Sequence, residues 1–183
     1  MQEFKLFMML LGCKPRGRHT EQHDMFFTIA GELRDCVPDI LAFWPGAGKI
    51  HIDAWRNVSF VNGYRLRIME TREKEATASA IKLFFINLGG YKAGEFEEYH
   101  YKMVVAAENR EAAVRQAKLT AFFKHNQLSH VDDKYGIDVD DIYNIEDILP
   151  ASVKERYSIL LEPVDPGEQE DEIHLGYFKL DKL

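Results

Sequence analysis

Apolar and polar positions alternate in short blocks along most of this chain, which favours strands over long helical stripes. Lys5–Leu11 and Lys82–Leu88 are apolar runs that stop at Gly12 and Gly89, and both read as strands. Tyr99–Ala107 is β-branched and aromatic and reads as a strand too. Met25–Ala30 is ambiguous alone, because Phe26, Ala30 and Leu33 also suit one helix face; its counterpart Tyr99–Ala107 tips it to strand. Asn109 stands where an N-cap would, ahead of a helix over 110–124 whose apolar face is Ala113, Val114, Ala117 and Ala121. A second helix over 32–44 contains Pro38, so it is kinked or split there, and Pro45-Gly46 ends it. Asn62-Gly63 between Val58–Val61 and Tyr64–Ile68 predicts a tight hairpin. Beyond Pro150, Tyr157–Leu161 and Ile173–Leu180 predict strands added to a sheet edge, on either side of an acidic loop.

The pattern occurs twice. Residues 5–24 set against 82–101 share Lys5/Lys82, Leu6/Leu83, Phe7/Phe84, Leu11/Leu88, Gly12/Gly89, Gly17/Gly94, Glu21/Glu98 and His23/His100. With a slip of two residues, Ala42-Phe43 matches Ala121-Phe122, His51-Ile52-Asp53 matches His130-Val131-Asp132, and Tyr64 matches Tyr143. The expected domain plan is a first unit over 1–69, a joint over 70–80, a second unit over 81–150 and C-terminal strands over 151–183. The expected fold class is α+β: two related ferredoxin-like-style units with mostly antiparallel sheet and helices packed on one face.

Composition narrows the function classes. At 183 residues, 46% hydrophobic and 29% charged, the chain is globular in type. No apolar run approaches a bilayer-spanning length, no small-residue cleavage pattern follows the apolar start, and the two Cys make no disulfide framework. A cytoplasmic protein without a membrane partner is the expectation. Net charge is −7 and concentrated late: residues 1–80 carry 11 Lys/Arg against 10 Asp/Glu, residues 81–183 carry 12 against 20. That balance speaks against nucleic acid as a partner.

Candidate chemistry gathers in Leu11–Asp24. Lys14, Arg16 and Arg18 fall on alternate positions, so in an extended loop they would point one way and hold a small anionic ligand. Gly46-Ala47-Gly48-Lys49 is no Walker motif, since Ile50 follows the Lys. Glu21, His23 and Asp24 offer an imidazole beside two carboxylates. His51-x-Asp53 puts imidazole and carboxylate on one face of a strand, and with His23 or His19 it could complete a metal-ligand trio, although H-x-D is common by chance. No residue set has a diagnostic metal spacing, and the cofactor is undetermined. Asp132, Asp133, Asp138, Asp140 and Asp141 lack EF-hand spacing and read as a solvated edge. Trp44 and Trp55 read first as core and second as a pocket wall. Cys13 beside Lys14 would be reactive if exposed and inert if buried.

The run G-C-K-P-x-G-R-H-T-E-Q-H-D, followed by Phe43-Trp44-Pro45 and His51-Ile52-Asp53-Ala54-Trp55, resembles a family of mostly bacterial proteins, domain of unknown function 1543. The resemblance implies one or two copies of such a unit and brings no assigned reaction. The second copy departs from the pattern, with Tyr91, Ala93, Glu95 and Tyr101 where the first has Lys14, Arg16, Arg18 and Asp24.

These observations point to a binding module for a small anionic ligand or protein partner. Its candidate residues are Lys14, Arg16, Arg18, His19, Glu21, His23, Asp24, His51, Asp53 and Trp55. A His/carboxylate-dependent hydrolase or transferase, with or without metal assistance, is one alternative class. A structural module that pairs with a second copy as a homodimer is the other. Because Glu21 and His23 recur in the second copy, they read as residues of the shared fold, and Lys14, Arg16, Arg18, His19 and Asp24 as the particular ones.

Overall fold

The computed structural model describes residues 3–70, 80–91, 94–128, 138–164 and 171–183, with side chains of 121–128 and 138 excepted. The chain folds as α+β, with antiparallel sheets and few helices, in two compact units: Met1–Ala78 with Ile148–Leu183, and Ser79–Asp147. Among the described residues no helix is long and apolar enough to cross a membrane.

The first unit is built on β1 (Lys5–Cys13). It lies between β2 (Gln22–Ala30) and β3 (His51–Val58), with the late strand β10 (His174–Lys179) on the outer side of β3. Alternation sorts the faces. Phe7, Met9, Leu11 and Cys13 point to one side, where Phe26, Ile52, Cys36, Ile40 and Ala47 complete a core. Each such large apolar side chain contributes about 1.5–3 kcal/mol when fully buried. The predicted helix over 32–44 is split: a 3-10 turn over Leu33–Cys36 runs into α1 (Val37–Phe43), with Pro38 in the first turn, where its missing N–H costs nothing. Thr28 ties that helix to the sheet, its buried hydroxyl donating to Asp39 Oδ2 at 2.7 Å.

Asn62 and Gly63 take φ values of 34° and 92°, as a two-residue hairpin between β4 (Phe60–Val61) and β5 (Tyr64–Glu70) requires. β5 then pairs with β9 (Tyr157–Pro163) in a three-stranded sheet. Both C-terminal strands predicted from sequence therefore join sheets of the first unit.

The second unit centres on β6 (Lys82–Tyr91), flanked by β7 (Glu98–Ala107) and β8 (Asp138–Asn144). α2 (Arg110–Leu128) packs Ala113 and Ala117 against Phe84, Ile86, Leu88, Val105 and Ala107. Asn109 caps it, its Oδ1 accepting from Ala112 N at 2.9 Å.

Registers in the two units correspond. Gly12 lies opposite His23 and His51; Gly89 lies opposite His100 and Asp138. In each, the pairing to the third strand slips by one residue. Leu10 faces Ala54 and Leu11 faces Ile52, leaving Asp53 extra; Asn87 faces Asp141 and Leu88 faces Val139, leaving Asp140 extra. Asp140 is thus the counterpart of Asp53 by register. The sequence match of His51 and Asp53 to His130 and Asp132 falls outside the described residues. Tyr143, matched by sequence to Tyr64, faces Phe85 on β8 and holds the place of Arg56.

Candidate functional site

Four of the candidate residues converge at the Gly12 end of the four-stranded sheet. Cross-strand neighbours point to the same face, so the register puts His23 and His51 on either side of Gly12, opposite the Leu11 and Cys13 core face. The extra residue at Asp53 is a β-bulge, a device that re-aims a side chain. It keeps the carboxylate on the histidine face, where its two oxygens meet both rings. His51 Nε2 lies 3.1 Å from Asp53 Oδ1, and His23 Nε2 lies 3.1 Å from Asp53 Oδ2. Glu21, just ahead of β2, brings Oε1 to 3.1 Å from His51 Nε2 and Oε2 to 3.9 Å from His23 Nε2.

These contacts are close without being hydrogen bonds. His51 is 3% exposed, and neither its Nε2 nor its Nδ1 has a hydrogen-bond partner; buried Asp53 Oδ2 has none either. Tyr177 of β10 stacks on the His51 ring, with centroids 4.0 Å apart, and covers it. Gly12 makes the convergence sterically feasible: a Cβ there would stand 2.5 Å from both Asp53 Oδ2 and His51 Nε2. Sequence reading missed both Gly12 as the floor and Tyr177 as the cover. The recurrence of Gly12 as Gly89 was the available signal for the first. Tyr177 is remote in sequence and gave none.

The remaining candidates make none of these contacts. Lys14, Arg16, Arg18 and His19 are exposed in the β1–β2 connection. That connection is a turn, not the extended run that alternate spacing assumed: Arg18 N donates to Pro15 O, and Gly17 takes φ 81°. Asp24 faces Leu11, on the side away from His23, and accepts from Met25 N at 2.7 Å. Trp55 faces Met9 and packs with the core, stacked on His174 at 4.0 Å; the bulge at Asp53 turns it away from the cluster. Trp44 also packs against this core. Cys13 is buried on the core side, and burial first, then the Glu21 carboxylate, pushes its thiol pKa up, so it is no thiolate nucleophile.

The second unit carries a looser version. Glu98, His100 and Asp140 each offer a donor atom, all within 4.8 Å of one another. His100 Nε2 is 3.4 Å from Asp140 Oδ2 and 4.0 Å from Glu98 Oε2, and all three side chains are about one-third exposed or more. A Cβ on Gly89 would collide with the Asp140 carboxylate, as one on Gly12 would with Asp53. Glu98 is also engaged by Tyr91, whose phenol pKa is raised first by that hydrogen bond.

In chemical terms the first cluster offers two imidazole nitrogens and two carboxylates. Imidazole nitrogens and carboxylates are the ligand types that divalent transition metals take, and among the described residues the donors that all lie within 4.8 Å of one another are those of Glu98, His100 and Asp140 in the second unit.

No curated protein matches the sequence. A crystal structure of protein Il1583 from Idiomarina loihiensis is similar in fold, with a TM-score of 0.59 and 22% identity over 97% of this chain and 98% of that one. Residues 18–68, which carry Glu21, His23, His51 and Asp53, match the model of a Domain of Unknown Function (DUF1543), and over that segment the chain resembles this family.

Proposed function

We propose that the first unit binds one divalent transition-metal ion through Glu21, His23, His51 and Asp53. The observation that carries this reading is His51 Nε2, buried, 3.1 Å from an oxygen of each carboxylate and hydrogen-bonded to neither. An unpaired buried donor or acceptor costs about 1–3 kcal/mol, and two carboxylates drawn towards one nitrogen repel each other. A cation at their meeting point relieves both costs. Mixed imidazole and carboxylate ligands suit zinc, cobalt or manganese. The side chains of Glu21 and His23 are 43% exposed, so one side of the centre is open to water. That supports a hydrolytic or group-transfer centre over a closed structural one.

The shared Gly, Glu, His and bulged Asp support reading the two units as duplicates of one ancestral unit. The two buried, unpaired cysteines fit a reducing, cytoplasmic setting. The test is retention of metal. Full-length protein stripped by chelator and dialysed separately against zinc, cobalt and manganese should keep one equivalent of at least one of them. H51A should hold that ion at least ~100-fold more weakly, since even losing a ligand's outer hydrogen-bond partner costs 10–100-fold. Retention of none of the three ions would overturn the reading.

A further inference from the structure

We propose that the open side of this centre receives a small oxyanion, a phosphate- or carboxylate-bearing molecule, held by Lys14, Arg16 and Arg18. The inference rests on the metal reading and names the ligand class of the same site. Burial shows where the opening lies. His51 is covered by Tyr177, and the Asp53 side chain is 24% exposed, whereas those of Glu21 and His23 are 43% exposed. The centre therefore opens towards the start of β2 and the connection that leads into it.

That connection holds a local excess of positive charge in a chain of net charge −7. Lys14, Arg16 and Arg18 are all exposed, and none forms an ion pair with another described residue. A turn from Pro15 to Arg18 carries Arg16 and Arg18, and Lys14 stands just before it. Only three residues of chain, at most about 11 Å, separate Arg18 from Glu21. The charges also match. The Glu21 and Asp53 carboxylates repel an anion while the centre is empty, and a divalent ion offsets them. The three loop cations, with Arg18 only three residues ahead of Glu21, then remain without an ion-pair partner among the described residues. An oxyanion satisfies both sides, taking a metal position with one oxygen and paired Arg hydrogen bonds with others.

The test uses full-length protein loaded with cobalt, whose visible spectrum reports its ligands. Inorganic phosphate and malonate are titrated separately, and the one that shifts the spectrum identifies the head group. The expected result is a saturable shift with at least one of them. In K14A/R16A/R18A the affinity for that anion should fall at least tenfold, while the cobalt spectrum without anion stays as in the parent protein. A spectrum that neither anion moves overturns the oxyanion proposal and leaves the metal reading standing, as does undiminished affinity in the triple variant. A protein that takes up no cobalt, zinc or manganese overturns both.

Discussion

The Gly12 and Gly89 ends of the two units share a plan and differ in one strand position. Each has a glycine on the central strand, a histidine opposite it, a glutamate two residues before that histidine, and an aspartate at a bulge on the third strand. Opposite the glycine on that third strand, the first unit has His51 and the second has Asp138. Around His51 the donors close to 3.1 Å, and the ring is buried under Tyr177. Around Gly89 the His100 spacings are 3.4 and 4.0 Å, against 3.1 and 3.9 Å for the matching His23 pairs, the residues are exposed, and Tyr91 shares Glu98. The difference teaches that matching residue types do not make equivalent sites. A buried nitrogen aimed between two carboxylates creates an electrostatic demand, and exposed groups meet the same demand with water.

The comparison can be broken at the glycines. In G12A the new methyl must displace Asp53 or His51, so the affinity of the first unit for its ion should fall on the order of 100-fold, the scale of a disturbed ligand shell. G89A directs its clash at Asp140 of the second unit and should leave that affinity within about twofold. Equilibrium dialysis of both variants against the same ion checks this; equal losses would mean that the two clusters do not differ as described. A gain should follow from D138H, which restores an imidazole at the position opposite Gly89. The second unit should then bind the ion about tenfold more tightly, a smaller effect than the loss in G12A because that site lacks the Tyr177 cover. Calorimetric titration should reveal the second binding event, and an unchanged isotherm would mean that burial, not the imidazole, sets the contrast.

Most of the architecture was legible locally. Apolar runs ending in glycine placed β1 and β6, Asn62-Gly63 placed its hairpin, Asn109 placed the start of α2, and Pro38 placed the break before α1. All four residues of the cluster were among the sequence candidates. His23 with His51 and Asp53 was one of two trios the sequence offered; that Glu21 completes the set and that the second unit repeats it was not legible, for two reasons. The bulge that orients Asp53 leaves no trace in an alternating pattern, and the segment between β7 and β8 is longer than that between β2 and β3, so the best sequence match linked Asp53 to Asp132 while the register links it to Asp140. Recurrence also pointed away from the cluster. Glu21 and His23 were set aside as fold residues because Glu98 and His100 repeat them, and the structure brings those repeated residues together in both units.

The central claim is that two imidazoles and two carboxylates of the first unit hold one metal ion. X-ray absorption at the metal edge of full-length protein carrying one equivalent of zinc tests it most directly. The account predicts a first shell of nitrogen and oxygen at about 2.0–2.2 Å, with outer-shell scattering from two imidazoles that falls to one in H51A. A shell of oxygen alone, or two-imidazole scattering that persists in H51A, would contradict it.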